Sequence, residues 1–104
     1  MKQLLLYSII GVIGFLLLIF MHEQAHVAIY SSYNIDSHVE YFSHFPSIIT
    51  MPDKDCPNDA CITDHINNEI FGYHAEIIYI LLFFIGLFII GELEVLNEKS
   101  EKMQ

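Results

Sequence analysis

Residues 4–21 read LLLYSIIGVIGFLLLIFM, and residues 22–26, which follow directly, read HEQAH. The first stretch has no charged side chain in 18 positions, and a helix of that length rises about 27 Å, close to the thickness of the hydrocarbon core of a bilayer. It is therefore predicted to be a transmembrane helix. Residues 21–33 contain neither Pro nor Gly, so the helix is expected to continue past the membrane surface, carry HEQAH, and end at Asn34.

A second apolar block covers residues 77–90, which carry no charge, and it approaches the length of a membrane span when the helix is counted from Tyr73. Thr63 or Asp64 is the expected N-cap of this helix. The chain of 104 residues is thus predicted to be an all-α membrane protein: an antiparallel hairpin of two transmembrane helices with a structured exoplasmic connection. A cleaved signal peptide fits less well, because no small-residue cleavage site follows the first block. A soluble fold fits less well, because little polar chain remains to cover both helices.

Four segments are expected along the chain. Residues 1–33 form the first transmembrane helix with its extension, residues 34–63 the exoplasmic connection, residues 64–96 the second transmembrane helix, and residues 97–104 a cytoplasmic tail. Within the connection, residues 37–42 alternate polar and apolar side chains, as a short strand would.

The charge distribution bears on orientation and partners. The formal net charge is −9, and the lysines Lys2, Lys99 and Lys102 lie near the termini, whereas the connection has only Lys54. The positive-inside tendency therefore predicts that both termini are in the cytoplasm and the connection is outside. Together with the two spans, this leads us to expect an integral membrane protein of the plasma membrane. No basic patch is present, which argues against nucleic acid as a partner. The expected partners are the lipid bilayer and further copies of the chain or another membrane protein.

The HEQAH segment has the spacing of a zinc site. On a helix, His22 and His26 lie one turn apart and point the same way. Two imidazoles placed in this way can bind Zn²⁺, and Glu23 between them can accept a proton from a zinc-bound water. Such a site needs a third protein ligand and an open fourth position for water.

The antiparallel arrangement of the spans selects the third ligand. Sliding the two helices past each other puts Glu69 at the height of His26. At about 100° per residue, Glu69 shares one face of the second helix with His65 and Tyr73, either of which could stabilise an oxyanion. The alternative third ligands are His65, His38, His44 and Glu76.

These residues resemble a known group of enzymes. HEQAH followed by Asn68-Glu69 on a later helix looks like the HExxH zincin metallopeptidases, and most like the gluzincins, in which a downstream glutamate, often preceded by asparagine, is the third ligand. Membrane zinc peptidases of the site-2 protease type also carry HExxH on or beside a membrane helix. The resemblance implies zinc ligation by the two motif histidines, His22 and His26, and by Glu69, with Glu23 as general base. It also implies a peptide or membrane-protein substrate that is hydrolysed near the membrane surface. The second span lacks the Asp-Gly pair that site-2 proteases use.

Two functions of other classes remain open. Glu23-x-x-His26 is also the element of di-iron helical bundles, which a homodimer could complete with Glu69 or Glu76. Alternatively, the chain is a small non-catalytic subunit of a larger membrane complex, with or without a bound metal, because a two-helix hairpin encloses a reactive site poorly.

The chain has two cysteines, Cys56 and Cys61. In an oxidising space a disulfide between them is favoured, closing a short loop of the connection. The alternative is a metal site, since Cys56, Cys61 and His65 supply three ligands that zinc accepts.

Overall fold

The computed structural model describes residues 2–44 and 47–103, and side chains at residues 43, 44 and 47 lie outside the description. In chain order the elements are helix α1 (Lys2–Ser32), strands β1 (Ser37–His44) and β2 (Ser47–Pro52), and helix α2 (Asp59–Met103). The protein is therefore mostly helical, but the prediction of an all-α fold is corrected by the two-stranded sheet in the connection.

The sheet is an antiparallel β-hairpin. Ser37 pairs with Pro52 and Tyr41 with Ile48, and the register shifts between Tyr41 and His44. The alternation of residues 37–42 predicts the first strand; the second forms from a run of β-branched residues, which suit a half-buried pleated surface. Both strands contact α1, so the connection folds back along the extended end of that helix.

Helix α1 ends in a Schellman motif. Asn34 has a φ of 58°, in the left-handed region that asparagine tolerates better than most residues. The Ile35 N–H donates to the Tyr30 carbonyl at 2.9 Å, and the Asn34 N–H donates to the Ser31 carbonyl at 3.0 Å. The helix thus stops where its sequence predicts, and the chain turns into β1.

Helix α2 begins before the predicted boundary at residue 64. The Asn58 side-chain oxygen accepts a hydrogen bond from the Cys61 N–H at 3.0 Å, which makes Asn58 the N-cap. The helix then starts at Asp59, and Thr63 and Asp64 lie inside it. Asparagine is at least as good an N-cap residue as threonine, and Asn58 precedes the predicted cap Thr63 in the sequence.

Helix α2 also ends later than predicted. It continues to Met103, so residues 97–103 of the expected tail are helical. Glutamate and lysine, both strong helix formers, make up four of these seven residues. The Leu4 N–H donates to Glu94 Oε1 at 3.0 Å, which ties the start of α1 to the last turns of α2.

The two helices pack with aromatic rings against glycines. A Cβ atom at Gly11 would overlap the Phe83 ring, and one at Gly86 would overlap the Tyr7 hydroxyl. The Tyr79 hydroxyl donates to the Gly11 carbonyl at 2.7 Å, and the Tyr7 hydroxyl donates to the Phe83 carbonyl at 3.2 Å. These contacts pair early residues of α1 with late residues of α2, so the helices are antiparallel. They also determine the rotation of each helix about its axis.

Both helices are long and apolar enough to cross a membrane, with mean hydropathies of 2.8 and 2.3 in their most apolar segments. Large apolar side chains point outward along both helices; Leu5 is 63% exposed and Phe88 is 70% exposed. Few side chains are buried in the helix–helix contact, so nearly all of this apolar surface is left without protein cover.

Candidate metal centre

The residues predicted as zinc ligands come together where α1 extends beyond its apolar segment. His22 Nε2 lies 3.0 Å from Glu69 Oε1, and His26 Nε2 contacts the same oxygen. One ligand atom from each of the three residues lies within 4.8 Å of the other two. With zinc–ligand bonds of about 2.0–2.2 Å, the ligand atoms of a tetrahedral site are about 3.3 Å apart. Small side-chain adjustments would therefore bring the three atoms around one ion.

Burial around the three side chains is uneven. The His22 and His26 side chains are 8% and 11% exposed, whereas the Glu69 side chain is 38% exposed. Burial alone raises the pKa of Glu69, but the contacts with His22 and His26 outweigh it, so the net pKa of this carboxyl is lowered. Glu69 is thus held as a carboxylate, the form that binds a cation.

The His22 ring sits in a space that Gly72 leaves on α2. A Cβ atom at Gly72 would overlap the imidazole, and the Asn68 side-chain amide donates to the His22 carbonyl at 3.4 Å. His22 Nδ1 is buried without a hydrogen-bond partner in the described part of the chain, and Glu76 Oε1 lies 3.8 Å from it. If Glu76 moved slightly closer, its carboxylate would accept a hydrogen bond from His22 Nδ1. Metal-bound histidines typically have such a partner.

Gly72→Ala is expected to weaken zinc binding by at least about tenfold, because the added methyl group displaces the His22 ring from Glu69. Equilibrium titration of the metal-free protein with zinc against a chelating dye measures this change. Gly91→Ala is the matched control: it makes the same substitution in the same helix, where an added Cβ meets nothing within 4 Å. Equal zinc affinities in the two variants would contradict the role assigned to Gly72.

His65 contacts the opposite side of the His26 ring. The two Nδ1 atoms are 2.7 Å apart, and the Tyr30 ring centroid lies 4.0 Å from that of His65. Burial lowers the pKa of His65, and the neighbouring His26 lowers it further. His65 is thus kept neutral and orients a ligand histidine; the oxyanion role predicted for it has only its second ring nitrogen to use.

The Glu23 carboxylate is hydrogen-bonded to a residue of β2. The Thr50 hydroxyl donates to Glu23 Oε2 at 2.5 Å and lies 3.2 Å from the Glu23 carbonyl oxygen. An open cavity of about 370 Å³ lies beside this carboxylate, lined also by His26, Glu69 and Tyr73. Glu23 thus lies at the wall of a cavity, and Thr50 holds it there.

The other predicted residues take different positions. Tyr73 is 58% exposed, its ring centroid is 6.2 Å from that of His22, and its hydroxyl is hydrogen-bonded to Glu69 at the cavity wall. His38, an alternative third ligand, instead contacts Glu40 at 3.3 Å with its side chain 61% exposed. The side chain of His44, another alternative, lies outside the described residues. A further alternative, Glu76, has its Oε1 atom 3.8 Å from His22 Nδ1, on the side of the ring away from Nε2.

The donor set fits a zinc ion. Two imidazoles and one carboxylate are a ligand combination of catalytic zinc sites, which keep a fourth position open for water. A cation bound at His26 Nε2 requires the proton of that ring to be on Nδ1, where His65 Nδ1 can accept it. The arrangement therefore supplies both the ligands and the outer hydrogen bond that fixes the tautomer of His26.

Sequence reasoning missed two residues of the site. Thr50 is a β2 residue far from the motif in sequence, and only the folding of the β-hairpin onto α1 brings it to Glu23. Gly72 carries a weak signal, since a glycine inside a helix often marks a close approach of another group.

The comparisons with known proteins are negative: no family model, no curated protein and no solved structure matches the chain.

Proposed function

We propose that this chain is a membrane-embedded, zinc-dependent metallopeptidase that hydrolyses peptide bonds near the membrane surface. The observation that supports it best is the convergence of His22, His26 and Glu69 on one point, with Glu23 at the wall of the adjoining cavity. A base next to a two-histidine, one-carboxylate site is what hydrolysis by zinc-activated water needs.

The proposal includes insertion in the membrane. The two apolar segments have almost no protein cover, and the ligands lie just beyond them in sequence. In this proposal the hairpin spans the plasma membrane with both termini in the cytoplasm, as the lysines near the termini favour, and the β-hairpin and metal centre lie at the exoplasmic surface. Substrate segments leaving the bilayer would reach the cavity directly. Further copies of the chain or a membrane partner would cover the apolar surface.

In the proposed mechanism, His22, His26 and Glu69 would hold a zinc ion. The ion would polarise a water molecule and the scissile carbonyl. Glu23 accepts the proton of the attacking water and later passes it to the leaving amine. Thr50 keeps the Glu23 carboxylate directed into the cavity. The Tyr73 O–H, which is hydrogen-bonded to Glu69 in the structure, turns to donate a hydrogen bond to the oxyanion that develops on the carbonyl.

The test is peptide hydrolysis by the full chain in detergent or in liposomes, using a mixture of unstructured peptides and mass spectrometry of the products. Cleavage is expected to stop after treatment with a chelator and to return on addition of zinc. A chain that binds zinc at these residues but cleaves no peptide would overturn the enzymatic function and favour a metal-binding subunit. Two irons per dimer would favour the di-iron protein.

A further inference from the structure

A second group of metal-binding side chains adjoins the first. The sulfurs of Cys56 and Cys61 are at bonding distance in the structure, with their Cα atoms 5.6 Å apart. A ring nitrogen of His65 lies within 4.8 Å of both sulfurs. Cys61 and His65 are one turn apart on α2, and Cys56 comes from the loop that precedes the helix. Cys61 is fully buried and Cys56 is half-buried, so a reductant has access from one side.

His65 has one nitrogen free for a ligand. Its Nδ1 faces His26, whereas its Nε2 is buried without a hydrogen-bond partner among the residues described. An unsatisfied buried nitrogen costs free energy, and a metal ion bound next to two sulfurs would satisfy it.

We propose that reduction of the Cys56–Cys61 disulfide creates a second zinc site, formed by the two thiolates and His65, which weakens metal binding at His22, His26 and Glu69. The second half of the proposal rests on the metal centre proposed above; the first half does not. The redox state of the cysteines would thus control the candidate active site.

Reduction of the disulfide requires an external reductant, and a dithiol supplies the electrons and protons. The S–S bond breaks, two electrons and two protons pass from the dithiol to the two sulfurs, and the dithiol leaves as a disulfide. Zinc then replaces the two thiol protons, which are released to water. Thiolates bind zinc at about 2.3 Å and histidine nitrogen at about 2.0–2.1 Å, distances that the grouped atoms reach by small side-chain movements.

The two sites are coupled through the protons of two histidines. A metal on His26 Nε2 puts that ring's proton on Nδ1, where it is donated to His65 Nδ1. A metal on His65 Nε2 puts the proton of the second ring on Nδ1 as well. Two N–H groups would then face each other across the 2.7 Å contact. Occupancy of one site therefore disfavours the other, and the effect is reciprocal.

The experiment titrates the full-length protein in detergent with Co²⁺, before and after treatment with a phosphine. The phosphine is oxidised to its oxide by taking oxygen from water, whose two protons go to the cysteines. The oxidised protein is expected to bind one Co²⁺ without near-ultraviolet charge-transfer absorption. The reduced protein is expected to show thiolate-to-cobalt charge transfer, and to bind Co²⁺ at the HEQAH site about tenfold more weakly, as judged from the visible bands.

Three variants separate the possible causes. The double variant Cys56→Ser/Cys61→Ser is expected to bind one Co²⁺ with the same affinity whether or not phosphine is present. His65→Ala removes the contact between the His26 and His65 rings, so treatment with the phosphine should no longer change the affinity of the HEQAH site for Co²⁺. His22→Ala damages the first site alone and should leave the charge-transfer absorption of the reduced protein intact.

Reduced wild type without charge-transfer absorption would overturn the proposal, and so would an unchanged HEQAH affinity after reduction. Failure of the metal centre on which the proposed function depends has a different signature. In that case the oxidised wild type binds no metal, while the reduced protein still shows the charge-transfer absorption of the cysteine site.

Discussion

Purified wild-type protein is expected to contain one zinc ion per chain, and His26→Ala is expected to lose it. His26 is buried, contacts Glu69 through Nε2 and is oriented by His65 through Nδ1. Outer partners of a metal ligand are worth 10–100-fold in affinity, so loss of the ligand itself should cost more than about 100-fold. Elemental analysis of protein purified in detergent, followed by titration with zinc, measures both quantities.

Other histidines of the same chain provide the controls. His74 bonds to the Ile70 carbonyl at 2.7 Å on the exposed side of α2, and His74→Ala should leave the zinc content unchanged. His38→Ala should also leave it unchanged, since His38 contacts Glu40. Glu69→Gln is expected to lose zinc as His26→Ala does. Zinc loss in His38→Ala with retention in Glu69→Gln would show that the third ligand has been misassigned.

Glu23→Gln is expected to lower the rate of peptide cleavage by about 10²–10⁴-fold, the usual contribution of a general base, while the zinc content stays the same. The amide has nearly the shape of the carboxylate but accepts no proton. Glu23 lies outside the group of converging ligand atoms, so metal binding does not depend on it. Initial rates on a cleaved peptide and zinc analysis of the same sample provide the measurement.

Two substitutions of Thr50 test the same role of Glu23 with smaller expected effects on the rate. Thr50→Val removes the hydroxyl that bonds Glu23 and should lower the rate less than Glu23→Gln does, whereas Thr50→Ser should keep most of the activity. Cleavage by Glu23→Gln at the wild-type rate, still inhibited by a chelator, would exclude Glu23 as the base. Loss of zinc in Glu23→Gln would instead show that Glu23 is a metal ligand, as in the di-iron interpretation.

Much of the fold could be predicted because its main elements are local in sequence. Uninterrupted apolar runs identify the two long helices, and the tolerance of Asn34 for the left-handed region marks the end of the first one. The boundaries of α2 could not be located in this way, since Asn58, Thr63 and Asp64 are all acceptable caps. The β-hairpin was only partly predictable, because its second strand depends on pairing with the first and on packing against α1.

For the site itself, the sequence determined which residues could meet. The helical period puts His22 and His26 on one face of α1. Because the two helices run antiparallel and are joined outside the membrane, Glu69 of α2 comes to the level of these histidines. Which atoms meet was decided by the tertiary structure. The packing of aromatic rings against glycines sets the rotation of the helices, and this rotation places Gly72 under His22 and His65 behind His26. These contacts join residues distant in the chain and depend on a few degrees of rotation, which a sequence period does not specify.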